Sequence, residues 1–321
     1  TKKALQEYKK IITINPNHLR ARRNVGSIYK EKGEIDKALQ EYQNIITINP
    51  NDESARIDIG NIYRYKGEIE KAIQEYQKVI TINTNNGYNN WKIIAYDSLA
   101  FLYTWSPKRD LGKALIYTKK SLNLQPTSPM VHRHHLDIGN IYSLLNQYSQ
   151  AEKHFKIAID LEPENYLPKK FLATIYQNAG SYDKAMEVYR DILQLLESDE
   201  NRDKDNYVST LKNIGLLNRD LRNFSEAEYY YKKVVEVQKD LFGNKSIEYL
   251  NAYTKLGSFY FSILKPEEAS KVFSRAWTMQ SEVKVKDTIK YSSFLRGLGG
   301  LAMVVGKYNE AETALIKSLR I

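Results

Sequence analysis

Residues 19–52 read LRARRNVGSIYKEKGEIDKALQEYQNIITINPND, and their apolar positions come in two runs at helical spacing. In the second run Ala38, Leu39, Tyr42, Ile45 and Ile46 fall at i, i+1, i+4, i+7 and i+8, one face of a helix. In the first run Val25, Gly26 and Tyr29 mark a matching face. Gly33 lies between the runs, where a left-handed cap favours glycine. Asn49-Pro50-Asn51 closes the second run, because proline cannot continue a helix. The pattern predicts two short helices joined by a glycine turn. It returns 34 residues on: Gly26, Tyr29, Ala38 and Tyr42 become Gly60, Tyr63, Ala72 and Tyr76. One such hairpin cannot bury its apolar face alone, so neighbouring copies must stack.

The signature can be followed along the whole chain. Residues 1–18 read as the second helix of an incomplete copy, with Ala4, Tyr8, Ile11 and Pro16 lying 34 residues before Ala38, Tyr42, Ile45 and Pro50. Copies are assigned to 19–52, 53–92, 93–131, 132–165, 166–207, 208–249 and 250–291, with a last one over 292–321. The third is looser: Trp91 to Tyr103 forms its first helix, and about one extra turn is expected near Asn83 to Asn90. From Ala173 the period becomes 42, through Gly215, Gly257 and Gly299. Eight extra residues are about two helical turns. Longer helices are therefore expected, joined by longer loops at Glu197–Asn206, Phe242–Ser246 and Ser281–Thr288. The incomplete copies at both ends suggest a piece of a longer protein.

These positions are those of the tetratricopeptide repeat, a helix–turn–helix unit with an L-G-x2-Y … A-x3-F … P pattern. The chain resembles that family throughout its length. Its last copies are similar to the long variant found in kinesin light chains and bacterial signalling proteins, whose second helix runs on into a loop such as Lys239-Asp240-Leu241-Phe242-Gly243-Asn244-Lys245. Arg22, Arg56 and His135 occupy the place of the consensus tryptophan. The resemblance implies an all-α fold, a single right-handed superhelical solenoid of antiparallel helix pairs. Its concave groove would be lined by the first helices and hold a peptide or helix of a partner protein.

Counting along each first helix, the groove positions are Arg20, Arg23, Asn24 and Ser27, then Asp58, Asn61, Arg64 and Tyr65, then Asp97 and Phe101, then Arg133, Asp137 and Asn140. Further along they are Lys170 and Thr174, Lys212 and Asn213, Asn251 and Lys255, and Arg296. Asparagine both donates and accepts hydrogen bonds, which suits a peptide backbone. Chaperone-binding relatives grip a C-terminal carboxylate at places matching Lys170, Thr174, Asn213, Asn251 and Lys255, and here Thr174 and Asn251 depart from that pattern.

Composition changes this picture little. The formal net charge of +10 comes from 48 Lys and Arg against 38 Asp and Glu, intermixed along the chain. It favours an acidic protein partner and gives only modest support to a nucleic-acid-binding solenoid, since most tyrosines fall on core positions. With no cysteine, disulfides and thiol chemistry are excluded, which fits a reducing compartment such as the cytoplasm. No apolar run approaches the roughly 20 residues of a membrane span.

Motifs that imitate chemistry fail on spacing. His132, His134 and His135 cluster, with Asp137 and His154 as further candidate ligands, yet a helix start explains them more simply than zinc. Asp199 to Asp205 imitates a calcium loop, but Lys204 stands where glycine is needed and Thr210 where glutamate is needed. Gly297-Leu298-Gly299-Gly300 has no strand before it, and Gly299 is the packing glycine of its copy. No catalytic constellation is visible, so neither an enzyme nor a cofactor is expected. The reading is a non-catalytic interaction scaffold, with regulation of an attached enzyme domain as a compatible role.

Overall fold

The computed structural model describes residues 2–82, 89–198, 203–283 and 288–320. Among these the chain is entirely helical. The helices are α1 (Lys2–Ile14), α2 (Leu19–Glu31), α3 (Ile35–Ile48), α4 (Glu53–Tyr65), α5 (Ile69–Thr81), α6 (Asn90–Trp105), α7 (Leu111–Leu124), α8 (Val131–Leu144) and α9 (Tyr148–Leu161). They continue as α10 (Tyr166–Asn178), α11 (Tyr182–Ser198), α12 (Lys204–Asp220), α13 (Phe224–Phe242), α14 (Ile247–Ser262), α15 (Pro266–Met279), α16 (Thr288–Val304) and α17 (Tyr308–Leu319), with a short 3-10 turn at Gln280–Glu282. Sequential helices pair antiparallel, the arrangement the repeat predicts. Contacts group the chain into two compact units, Thr1–Pro168 and Lys169–Ile321.

In the first unit each helix packs on the next, from α1 to α9. The central lock joins the glycine of a first helix to the aromatic ring of the second. A Cβ on Gly60 would come within 2.6 Å of the Tyr76 ring, and one on Gly139 within 2.6 Å of Phe155. Tyr42, Tyr76 and Phe155 are wholly buried, as are Ala38, Ala72 and Ala151 beside them. The hydroxyls of the two tyrosines stay satisfied, Tyr42 with Ser27 at 3.2 Å and Tyr76 donating to Asn61 at 2.8 Å. Burying a phenol demands such a partner.

A second lock fills the consensus tryptophan place. Arg22 reaches Glu41 at 2.8 Å and donates to the Pro16 carbonyl, and Arg56 repeats this with Glu75 and Pro50. The corresponding pair is Tyr96 stacked on Tyr117 in the third copy and His135 beside His154 in the fourth. One volume is thus filled by an ion pair twice, then by two phenols, then by two imidazoles.

Most turns within hairpins share one geometry, the longer α6–α7 turn excepted. The Glu34 amide donates to the Tyr29 carbonyl and the Glu68 amide to that of Tyr63, across Gly33 and Gly67 at φ of 74° and 76°. Lys265 and Asn223 make the same bond to Tyr260 and Asn218, yet there the left-handed residues are Leu264 and Arg222, at 60° and 61°.

In the second unit the helices lengthen as the 42-residue period requires: α11, α12 and α16 have 17 residues and α13 has 19, against 13 in α2, α4 and α5. Its core gathers Tyr231, Phe259, Phe273, Phe294 and Leu298. The loop expected over Phe242–Ser246 joins α13 to α14. The loop expected at Glu197–Asn206 is shorter than foreseen: Glu197 still belongs to α11, and residues 204–206 form the first turn of α12, capped by Asp203. The extra turn expected near Asn83 to Asn90 lies almost wholly outside the described residues, as does the centre of the loop at Ser281–Thr288.

Candidate partner-binding site

Within the first unit the residues expected to line a groove lie on α2, α4, α6 and α8, and many are already engaged within the fold. Arg23 holds both oxygens of Asp52, at 2.9 and 2.7 Å, and Asp52 caps α4 by accepting from the Ala55 amide. Asn61 accepts from buried Tyr76, so its first duty is to the core. Asp58 pairs with Lys30 at 3.3 Å, while burial pushes its carboxyl above the usual range. Arg20 and Tyr65 remain exposed, Tyr65 at 79%, and Asn24 is half-buried.

A cavity of about 310 Å³ lies between α6, α7 and α8, and five of the expected positions line it: Asp97, Phe101, Arg133, Asp137 and Asn140. Sequence counting missed its apolar rim of Ile94, Trp105 and Met130. Trp105 and Met130 end α6 and precede α8, where helical periodicity no longer says which way a side chain faces. Phe101 is 50% and Trp105 60% exposed, large apolar surfaces that folding leaves uncovered. Beside them, Arg64 lies over the Phe101 ring at 5.5 Å.

The polar floor is uneven. His134 is buried, with Nε2 3.0 Å from Ser121 and 3.2 Å from Asp97. The bond to Asp97 raises its pKa against the pull of burial. Asp137 keeps contact with solvent, yet surrounding protein lifts its carboxyl to about 6, against the field of Arg133.

The histidines do not form a metal centre among the described residues. His132 faces the Pro129 carbonyl at 2.8 Å and Glu162 at 3.1 Å, His134 faces Asp97, and His135 faces His154 at 2.9 Å. No group of three ligand-type side chains converges there. Of the calcium-like run, residues 199–202 lie outside the described residues, while Asp203 spends its carboxylate on the Asp205 and Asn206 amides. Gly299 sits inside α16, where a Cβ would meet Leu315 at 2.8 Å.

In the second unit Lys170 donates to Asn206 at 2.9 Å, the Thr174 hydroxyl donates to the Lys170 carbonyl at 2.9 Å, and the Tyr189 hydroxyl donates to Gln177 at 3.4 Å. Two of the five places matching a carboxylate grip, Lys170 and Thr174, are therefore engaged within the fold. Lys212 is half-buried and has its pKa lowered, first by desolvation and then by Lys255. Lys255 and Arg296 are exposed and Asn251 is half-buried. None of the helices among the described residues is long and apolar enough to cross a membrane.

Family comparisons follow the same register. Profiles described as tetratricopeptide repeat match residues 168–240 and 135–165, and one described as TPR repeat matches 26–63 and 60–88. No curated protein sequence matches the chain significantly. Among solved structures, the C-terminal part of a TPR repeat-containing protein from Cytophaga hutchinsonii is similar, with a TM-score of 0.61 and 17% identity over 74% of this chain and 90% of that one. PilW, a type IV pilus biogenesis factor, has a TM-score of 0.51 and 17% identity over 67% and 91%. BtubC (BKLC) from P. vanneervenii has 0.50 and 20% over 65% and 87%. At these identities the likeness concerns the fold alone. With its profiles spanning more than half of the sequence and its helices paired in the same register, the chain belongs to the tetratricopeptide repeat family.

Proposed function

We propose that this chain is a non-catalytic interaction scaffold that holds a segment of a partner polypeptide in a groove formed by its first helices. Repeat families of this kind serve chiefly as binding surfaces. The observation that carries the reading is the cavity between α6, α7 and α8, whose lining brings exposed Phe101, Trp105 and Met130 together with Asp97, Asp137 and Asn140. Exposed aromatic anchors around a few polar groups are what protein recognition sites use. For the nucleic-acid alternative Tyr42, Tyr76 and Tyr189 are buried and cannot stack on bases, which leaves it exposed tyrosines such as Tyr65, Tyr229 and Tyr308.

Site-specific photo-cross-linking tests this. Cross-linkers at Tyr65, Asn140 and Lys255 occupy first helices, and those at Lys37 and Lys271 occupy exposed places on second helices. The reading expects partner adducts from the first set. Adducts confined to the second set would contradict it.

A further inference from the structure

The cavity between α6, α7 and α8 has a chemistry that narrows its occupant. We infer that it is an anchor for one arginine or lysine side chain of the partner polypeptide, with Asp137 as counter-ion. This rests on the groove reading above and goes further by naming what the groove selects.

Two carboxylates line the cavity, and only one is engaged. Asp97 is engaged by His134 at 3.2 Å, and His134 is in turn fixed by Ser121. Asp137 has no hydrogen-bond or ion-pair partner among the described residues. Asp137 is solvent-exposed, so it is open to an arriving cation; the protein around it raises its carboxyl to about 6, against the opposing fields of Arg133 and His134. Arg133 acts on Asp137 only through space, and no carboxylate among the described residues lies within 4.0 Å of its guanidinium.

The rim sets the rest of the occupant. Ile94, Phe101, Trp105 and Met130 leave apolar surface exposed around the opening. A purely apolar side chain would cover that apolar surface but give Asp137 no counter-ion. A short polar one would leave the rim wet. An alkyl stem ending in a cation meets both, lying along the apolar lining with its charge at Asp137. The aromatic wall suits a cation too, and the Arg64 guanidinium already sits over Phe101 at 5.5 Å. A volume of about 310 Å³ accommodates a single long side chain. The overall charge of +10 does not oppose this, since it is spread along the chain and screened beyond about 10 Å.

The test uses the full chain and two probes, N-acetyl-arginine methylamide and its uncharged isostere N-acetyl-citrulline methylamide. The readout is the indole N–H resonance of Trp105, assigned with Trp105→Phe. One charge-assisted pair with a covered stem implies millimolar affinity. The arginine probe is expected to give a saturable shift, at least about tenfold weaker with citrulline or in Asp137→Asn. Removing the competing cation in Arg133→Gln is expected to tighten binding several-fold. Equal shifts from both probes, or no shift at about 50 mM arginine probe, would overturn the assignment. Cross-linking from the first helices combined with no arginine preference would end this inference and leave the groove reading standing.

Discussion

His135 Nδ1 lies 2.9 Å from His154 Nδ1, with the rings stacked 5.1 Å apart, in the place that the first two complete copies give to Arg22–Glu41 and Arg56–Glu75. Burial lowers both imidazoles, and His154 falls to about 4. Tyr142 closes the far side of His154 at 5.6 Å. The pair is therefore neutral at physiological pH, one ring donating its Nδ1–H to the other.

That pair makes the first unit acid-sensitive. Well above the unfolded pKa of about 6.5 neither the folded nor the unfolded imidazole is charged, so stability is unaffected. Between about 6.5 and 4 the unfolded chain takes up a proton that folded His154 refuses, so stability falls with pH. Asp137 acts in the opposite direction: its raised pKa makes folding more favourable as pH drops from about 6. Comparing the wild type with the double variant His135→Arg, His154→Glu cancels the Asp137 contribution, which both share. Thermal unfolding from pH 7 to pH 4 is expected to show a larger loss in the wild type. Equal losses would refute the assignment of His154.

The glycine–aromatic lock is not equally tight in every copy. A Cβ at Gly60 would stand 2.6 Å from Tyr76, whereas one at Gly215 would find Tyr230 at 3.4 Å, an ordinary contact. Gly60→Ala is expected to cost about 1–3 kcal/mol through overpacking. Gly215→Ala is expected to be neutral or to stabilise by up to about 1 kcal/mol, because alanine is the better helix former. Chemical denaturation of the two variants checks both signs.

Leu264 occupies a left-handed turn position that Gly33, Gly67, Gly180 and Gly306 occupy in other copies. Its side chain is 89% exposed, so it gains nothing from packing that would offset its backbone conformation. Leu264→Gly is expected to stabilise the second unit by about 1 kcal/mol. A lower unfolding midpoint would contradict this account of the turn.

Asn61 and Asn140 hold equivalent places on α4 and α8 but do different work. Asn61 accepts from the Tyr76 hydroxyl at 2.8 Å, while the ring facing Gly139 is Phe155, which has no hydroxyl to satisfy. Asn61→Ala is expected to cost about 1 kcal/mol of stability, and Asn140→Ala less than about 0.5 kcal/mol. Denaturant midpoints decide this, and they show which asparagine can be replaced to probe binding without harming the fold.

Helix pairing was legible in the residues because small and aromatic positions recur with a fixed period. The small residues Gly26 and Ala38 and the ring of Tyr42 already say what must touch. The site was only partly legible. Counting along a first helix finds Asp97, Phe101, Arg133, Asp137 and Asn140, because they follow helical spacing. It could not show that Arg23 would be held by Asp52, or Asn61 by Tyr76, since those partners lie on other helices. Nor could it find Trp105 and Met130, which stand at helix ends. The His135–His154 pair had one readable signal: the 19-residue spacing shared with Arg22–Glu41 and Arg56–Glu75.

The measurement closest to the central claim is photo-cross-linking from first-helix and second-helix positions in the full chain, with each adduct's partner peptide identified by mass spectrometry. The account predicts adducts from Tyr65, Asn140 and Lys255, with one partner segment shared by neighbouring positions. Adducts arising only from Lys37 and Lys271, or first-helix adducts with no segment in common, would contradict it.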